Sequence, residues 1–412
     1  MKNRKLKRIA ALLAVSALLL ALCACGGNAQ PAPTQAPALT AAPTAAPTAA
    51  PTQASAPTEA PAPTEAPTPE PEPEPAGIDY QYLTVNADGT RTFQDMKGAT
   101  VTVAAAEEMD TILTVAWPGN QPTIALLGIT DMVPAWMKSM QGEDYYWAQQ
   151  YNPTILANPI LGSSAEELMT FDPDIVFTKT KDKQAELDAA GITAACMAPV
   201  TLDDVLHSVR LTAEISGRPE AVARADSWIE YYNSVVAMIR ERLASVSEED
   251  YPVVYVVNGQ HGTTPLLTNG AGTLTETFSH LLGFKLAAAE IIDGDAVEIT
   301  AEQLMALDPE YMIFFGMHAY EAYDALMEDA SLSGLSAVQN GKLAFVPKGG
   351  QPMNGTGVEN VMYLQWQVKL LYPELFADID MHDVVKSFYN TYMDYDISDA
   401  EIEAMLAGKN GL

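Results

Sequence analysis

The sequence predicts an α/β protein: two doubly wound α/β lobes joined by one long helix, with a ligand cleft between the lobes. Three observations predict it. Short apolar runs alternate with helical stretches on both sides of the chain's middle, the pattern of parallel sheets flanked by helices. Between them, "RPEAVARADSWIEYYNSVVAMIRERLASV" (218–246) repeats apolar residues at helical spacing, with Pro219 near its start and no later Gly or Pro. One ten-residue phrase also occurs twice: "AEELMTFDPD" from Ala165 and "AEQLMALDPE" from Ala301 agree at Ala, Glu, Leu, Met, Asp and Pro.

The N-terminus stands apart. Lys2, Arg4, Lys5, Lys7 and Arg8 precede an apolar run, Ile9 to Leu22, that is short for a membrane span and has the shape of a secretory signal. "LCAC" closes it, with Leu22 at −3 and a small residue before Cys25. Residues 1–24 are therefore expected to be a lipoprotein signal peptide. Cys25 is expected to carry lipid and to hold the protein on the membrane without crossing it. Residues 28–76 are almost wholly Pro, Ala, Thr, Glu and Gln. Such a stretch has no apolar face to offset the entropy of ordering. Residues 25–76 are read as a lipid-anchored tether, whose extended part reaches at most roughly 150 Å.

The folded part is expected to comprise a first lobe (77–217), the interlobe helix (218–247) and a second lobe (248–412). In the first lobe, "TVTVAAA" (100–106) and "DTILTVAW" (110–117) read as strands, and "QPTIALLGI" (121–129) as a helix that Gly128 ends. Ile175–Thr178 and "AGITAACMA" (190–198) read as further strands. At 1.5 Å per residue the middle helix runs roughly 40 Å, long for a crossover but suited to a strut. Beyond it, "PVVYVVNG" (252–259), "EYMIFFG" (310–316) and "KLAFVP" (342–347) are strands. "TLTETFSHLLGF" (273–284) is a helix, and "ENVMYLQWQVKLLYPELF" (359–376) is helical until Pro373. The repeat falls once in each lobe, as a short helix, Asp-Pro, then a strand. Matched lobes would place Glu166 and Glu302 at equivalent surface points.

Charge narrows the partners. Residues 1–76 carry five of the 22 basic and five of the 53 acidic side chains, so the net charge of −31 falls on the remainder. Nucleic acid and anionic membrane surfaces are disfavoured. Cys196 is the one cysteine left in the folded part, which rules out an internal disulfide there.

A lipobox, two lobes about a long helix, E-x-L-M-x-x-D-P-[DE] before a strand in each lobe, "TNGAGTLTETFSHLLGF" and the closing "LLYPELF…FYNTYMDYDISDAEIEAML" occur together. In number and order these features resemble the substrate-binding lipoproteins of ABC importers for ferric siderophores, haem and cobalamin, over nearly all of residues 92–407. The resemblance implies capture of an iron complex or a corrinoid outside the cell and delivery to a permease dimer with its ATPase. It also implies one glutamate per lobe docking onto permease arginines, which by position before the proline map to Glu166 and Glu302. Carboxylate–Arg contacts can be bidentate and directional, so two equal acidic knobs suit a twofold permease.

Ligands of open α/β sheets sit outside the carboxyl ends of strands. In the first lobe this marks Trp117, Gly119 and Asn120, then Lys179 and Lys181, with Tyr145, Tyr146 and Trp147 as an aromatic wall. In the second lobe it marks Asn258 and His261, then Met317, His318 and Tyr320, then Lys348 and Met353. Basic candidates are few for an anionic siderophore, and the five histidines are scattered, so a bare metal ion ranks low. An iron complex (siderophore or haem) ranks first and a corrinoid second. A binding module that senses its ligand without transport is the rival reading. No G-x-S-x-G, HExxH, P-loop or G-x-G-x-x-G stands in its required context, so no enzyme is expected.

Overall fold

The computed structural model describes residues 78–115 and 119–412, all within one compact unit. Cys25, the signal, the tether and Trp117 lie outside the described residues.

The first lobe opens with an antiparallel sheet: β1 (Leu83–Val85), β2 (Arg91–Gln94) and β3 (Thr100–Val103). Two tight turns make it. Gly89 lies at φ 86° in the first; in the second, Asp95 Oδ1 accepts the amides of Lys97 and Ala99 at 2.9 Å. β3 is the strand expected in "TVTVAAA", but it lies in an antiparallel sheet and not in the parallel one expected. Parallel pairing needs a crossover of a dozen residues or more, and the short turns here permit only hairpins. The parallel part follows. β4 (Ile112–Thr114) leads to the two-residue strands β5 (Trp136–Met137) and β6 (Ile160–Leu161), which pair in parallel. β7 (Ile175–Thr178) then lies between β4 and β8 (Ala194–Cys196). Asp95 joins the two sheets: its Oδ2 accepts the Cys196 amide at 2.9 Å, and the Met96 amide donates to the Cys196 carbonyl at 3.0 Å.

A buried ion pair fixes the entry of the chain. Arg210 Nε donates to Glu214 Oε1 at 2.9 Å, with both side chains almost wholly buried. The Glu214 carboxylate also accepts the amides of Gln81, Tyr82 and Leu83. Arg91, also buried, caps the same helix (Leu202–Ser216) by donating to the carbonyls of Glu214 and Ile215.

The middle helix spans Pro219–Leu243, with the proline in its first turn, where no N–H is needed. Its buried stripe includes Val222, Ala225, Trp228, Tyr232, Val235 and Ile239. The helices Leu202–Ser216, Leu274–Leu282 and Asn360–Leu371 pack along it.

The second lobe has a mixed sheet. β9 (Val253–Asn258) is central, β10 (Leu267–Thr268) pairs antiparallel with its C-terminal end, and β11 (Lys285–Leu286) pairs parallel with its N-terminal end. β12 (Val297–Glu298) extends β10 antiparallel; β13 (Tyr311–Phe315) and β14 (Leu343–Phe345) continue parallel on the other side. After β14 the chain turns back. Helix Asn360–Leu371 packs on the middle helix, Met381–Tyr392 reaches the middle helix and the first lobe through Tyr231 and Tyr151, and Asp399–Leu406 packs on Met381–Tyr392. Arg224 on the middle helix donates to the Tyr392 carbonyl at 2.7 Å, and Trp147 Nε1 donates to the Lys409 carbonyl at 2.7 Å. One hydrophobic core therefore contains residues from Leu83 to Met405.

The repeated phrase folds the same way twice. Ser164 and Thr300 cap the helices Ala165–Met169 and Ala301–Leu307, each closing a capping box with the residue three positions on, Glu167 or Gln303. Asp172 and Asp308 follow in left-handed conformation, at φ 48° and 37°. The acidic residue after each proline then holds the start of the neighbouring strand. Asp174 Oδ2 accepts the amides of Asp110 and Thr111 at 2.8 Å, and Glu310 Oε1 accepts the Val253 amide at 3.3 Å.

Candidate functional site

Turns at the carboxyl ends of the strands enclose a cavity of about 390 Å³ between the lobes. The first lobe contributes Ser139, Asp144 and Tyr145 from two 3₁₀ turns. The second contributes Gln260 beyond β9, Met317 beyond β13, and Lys348, Gln351 and Pro352 beyond β14. A second cavity of about 370 Å³ shares Gln260, Gln351 and Pro352 and continues along Asn269, Thr273, Thr275, Asp295 and Asn354.

Local chemistry explains why these loops hold their shape. Asn258, buried at the end of β9, donates to Asn269 Oδ1 (2.8 Å) and Asp295 Oδ1 (3.1 Å) and accepts the Gln260 amide. Gly316 lies at φ 98°, and a Cβ there would overlap the Gln260 backbone, so glycine lets the loops after β9 and β13 touch. The loop after β14 is clamped from below. Glu359, 3% exposed, accepts the Gly350 amide at 3.0 Å and the Tyr389 hydroxyl at 2.5 Å. Burial pushes its carboxyl up, and the hydrogen bonds from Tyr389, Gly350 and Gln351 oppose the rise. A Cβ on Gly350 would overlap the Tyr151 hydroxyl, which itself donates to Gln121 at 2.9 Å.

Across the cavity, Lys348 Nζ lies 3.7 Å from Asp144 Oδ1. Lys348 is 5% exposed and also donates to Asn410 Oδ1, while Asn410 Nδ2 donates to Asp144 Oδ1 at 3.2 Å. Burial lowers the Lys348 pKa and Asp144 raises it, the former prevailing. Burial, then the neighbouring Asp144, pushes the Tyr145 hydroxyl up.

Of the residues expected at the ligand, Tyr145, Met317 and Lys348 line the cavity. Trp147 is a correction: it is fully buried, and its N–H is taken by Lys409, so it is core under the wall. Tyr146 is half-buried and packs edge-on against Trp147, with ring centroids 4.9 Å apart. Tyr320 lines neither cavity: it is exposed, stacks on Phe345 at 4.2 Å and donates to the Ala407 carbonyl at 2.5 Å. Lys181 lines a different depression, beside β3 with Lys97 and Gln184. Asn120 is buried in the first turn of its helix. Met353 is buried, and Asn258 orders the loops. Lys179 and His261 are exposed outside both cavities, and His318 lies 3.5 Å from Glu321 at the start of its helix. Sequence reasoning missed Ser139, Asp144, Gln260 and Gln351. The last two sit inside "NGQHG" and "PKGGQPMNG", where the glycines were the signal. Among the described residues, no three His, Cys, Asp or Glu side chains form a metal-holding group.

Glu166 and Glu302 are both exposed, each at the second position of its helix. In each copy the neighbouring residue completes the capping box. Among the described residues, no helix is long and apolar enough to cross a membrane.

No curated protein matches the chain. Solved structures share its fold. A periplasmic solute-binding protein from Veillonella parvula is 23% identical over 77% of this chain and 97% of its own, with a TM-score of 0.67. An ABC transporter solute-binding protein from Sulfurospirillum deleyianum is 19% identical over 76% and 98%, at 0.64. The molybdate-binding protein MolA of Haemophilus influenzae, solved with molybdate, is 17% identical over 75% and 99%, at 0.63. The periplasmic binding protein model matches residues 118–349, more than half of the chain and including Tyr145, Met317 and Lys348. The protein therefore belongs to the periplasmic binding protein family, the extracytoplasmic proteins that bind solutes between two α/β lobes.

Proposed function

We propose that the protein captures an iron complex, a siderophore or haem, outside the cell and hands it to an ABC permease dimer driven by its ATPase. The observation that carries this reading is a cavity of about 390 Å³ walled by both lobes, adjoined by one of about 370 Å³ within the second lobe, the two lined mainly by amides, hydroxyls, aromatic rings and a thioether, with Lys348, Asp144 and Asp295 as their charged groups. That lining suits a metal already wrapped in a chelator better than a naked ion, which needs converging His or carboxylate ligands. A corrinoid is the second reading, favoured by the same amide-rich walls. In this reading Cys25 carries the lipid anchor, and Glu166 and Glu302 engage basic pockets of the permease.

Purification from native cells followed by a visible spectrum tests the reading, because haem, ferric siderophores and cobalamin absorb differently. A haem or ferric siderophore band is the expected result. A corrinoid spectrum moves the assignment to the second reading, and a bound ligand without metal overturns both. A neighbouring permease and ATPase gene pair separates transport from ligand sensing.

A further inference from the structure

We infer that the cleft selects a metal complex carrying no net negative charge, and that Asp144 enforces this selection by neutralising Lys348. The inference rests on the metal-complex reading above and narrows it to neutral or cationic ligands, such as ferric trihydroxamates.

Three observations carry it. Among the described residues lining the two cavities, Lys348 is the one cation, set against Asp144 and Asp295. Ala116, Trp117 and Pro118, which are not described, bear no charge. Lys348 is also already committed: almost fully buried, it points its ammonium at Asp144 and Asn410. A ligand carboxylate or catecholate oxygen would meet a cation already balanced by the Asp144 carboxylate 3.7 Å away. Finally, the chain's −31 surrounds the cleft with a field that repels anions. The uncharged polar groups include Ser139, Tyr145, Gln260, Gln351, Thr273 and Asn354, a set that hydrogen-bonds to neutral oxygens and amides.

Asp144 is the lever because it comes from the first lobe while Lys348 and Asn410 come from the second and from the chain's last turn. Removing its charge leaves Lys348 facing the cavity with a neutral neighbour. A ligand anion then meets an unspent cation, and an anionic complex gains a charge-assisted hydrogen bond.

Fluorescence titration of the purified protein with five probes tests this: a neutral ferric trihydroxamate, the cationic ferrioxamine B, a ferric triscatecholate of charge −3, haem and cyanocobalamin. The wild-type protein should bind one of the first two best. Asp144→Asn should tighten triscatecholate binding about tenfold, the size of one charge-assisted contact. That gain should vanish in Asp144→Asn/Lys348→Met, with melting curves confirming that each variant is folded. Wild-type preference for triscatecholate or haem overturns the inference while leaving the iron reading intact. An Asp144→Asn variant that is folded but shows no gain, or a gain that survives Lys348→Met, removes Asp144 from its role. Binding of cyanocobalamin alone sinks the iron reading but keeps the charge rule; binding of none of the five sinks the functional reading itself.

Discussion

The indole N–H of Trp147 donates to the main-chain carbonyl of Lys409 at 2.7 Å, joining residues 262 positions apart. The contact ties the wall of the ligand cleft to the chain's last turn. Trp147→Phe keeps most of the packing and loses the hydrogen bond, so it should cost about 1–2 kcal/mol. Trp147→Ala also opens a cavity and should cost about 3–5 kcal/mol. Urea unfolding monitored by circular dichroism gives both numbers. Equal losses in the two variants would mean that the hydrogen bond, not the ring's bulk, dominates.

The ion pair of Arg210 and Glu214 is sealed in the first lobe, and Glu214 also accepts three amides at the start of β1. Glu214→Ala takes one of two carboxylates from the buried guanidinium, which keeps Asp226 and the Asp79 carbonyl, and leaves three amide donors unmet. It should destabilise the protein by about 2–4 kcal/mol, mostly through the hydrogen bonds left unmade. Hydrogen exchange should show β1 losing protection first. A loss below 1 kcal/mol, on the order of an exposed pair, would show that Asp226 and solvent suffice to satisfy these groups.

Glu166→Ala and Glu302→Ala should each reduce transport while ligand affinity stays unchanged. Ser164→Ala and Thr300→Ala supply the control, since they break the capping boxes of the same two helices and should cost about 0.5–2 kcal/mol of stability. Transport should survive these two substitutions. If transport instead tracks helix stability across all four variants, the glutamates have no docking role of their own.

Glu359 supplies a pH signature. Burial holds its carboxyl above the ordinary 4.5, so the folded protein keeps this proton more tightly than the unfolded chain. The stabilisation is complete below 4.5 and is lost as pH rises through the folded value. Glu359→Gln removes that loss. The melting temperature of the variant minus that of the wild type should therefore climb with pH from about 4.5 and then level off. A difference that falls over the same range contradicts the assignment.

The elements legible in the sequence are those set by local chemistry. β7 occupies the expected Ile175–Thr178, and the rod expected over 218–246 forms over Pro219–Leu243, where an apolar stripe and a first-turn proline act within a few residues of each other. Gly128, at φ 68°, closes its helix as expected. What could not be read depends on distant partners. Nothing near β3 announces that Asp95 will fasten its sheet to Cys196, 101 positions later. Trp147 looks like a ligand wall until burial and the Lys409 carbonyl claim it. Gln260 and Gln351 have no signature of their own; the glycines around them mark a close approach without saying which side chain will use it.

The middle helix is held on several sides, by Leu202–Ser216 from one lobe, Leu274–Leu282 from the other, and the returning Asn360–Leu371. A rod braced in this way is expected to hold Glu166 and Glu302 at a nearly constant separation, whether or not the cleft is filled. On the docking role proposed for these two glutamates, an empty molecule would offer a transporter the same two footholds as a loaded one. Unloaded copies should compete for the same landing place, and telling full from empty falls to the exposed rim of the cleft.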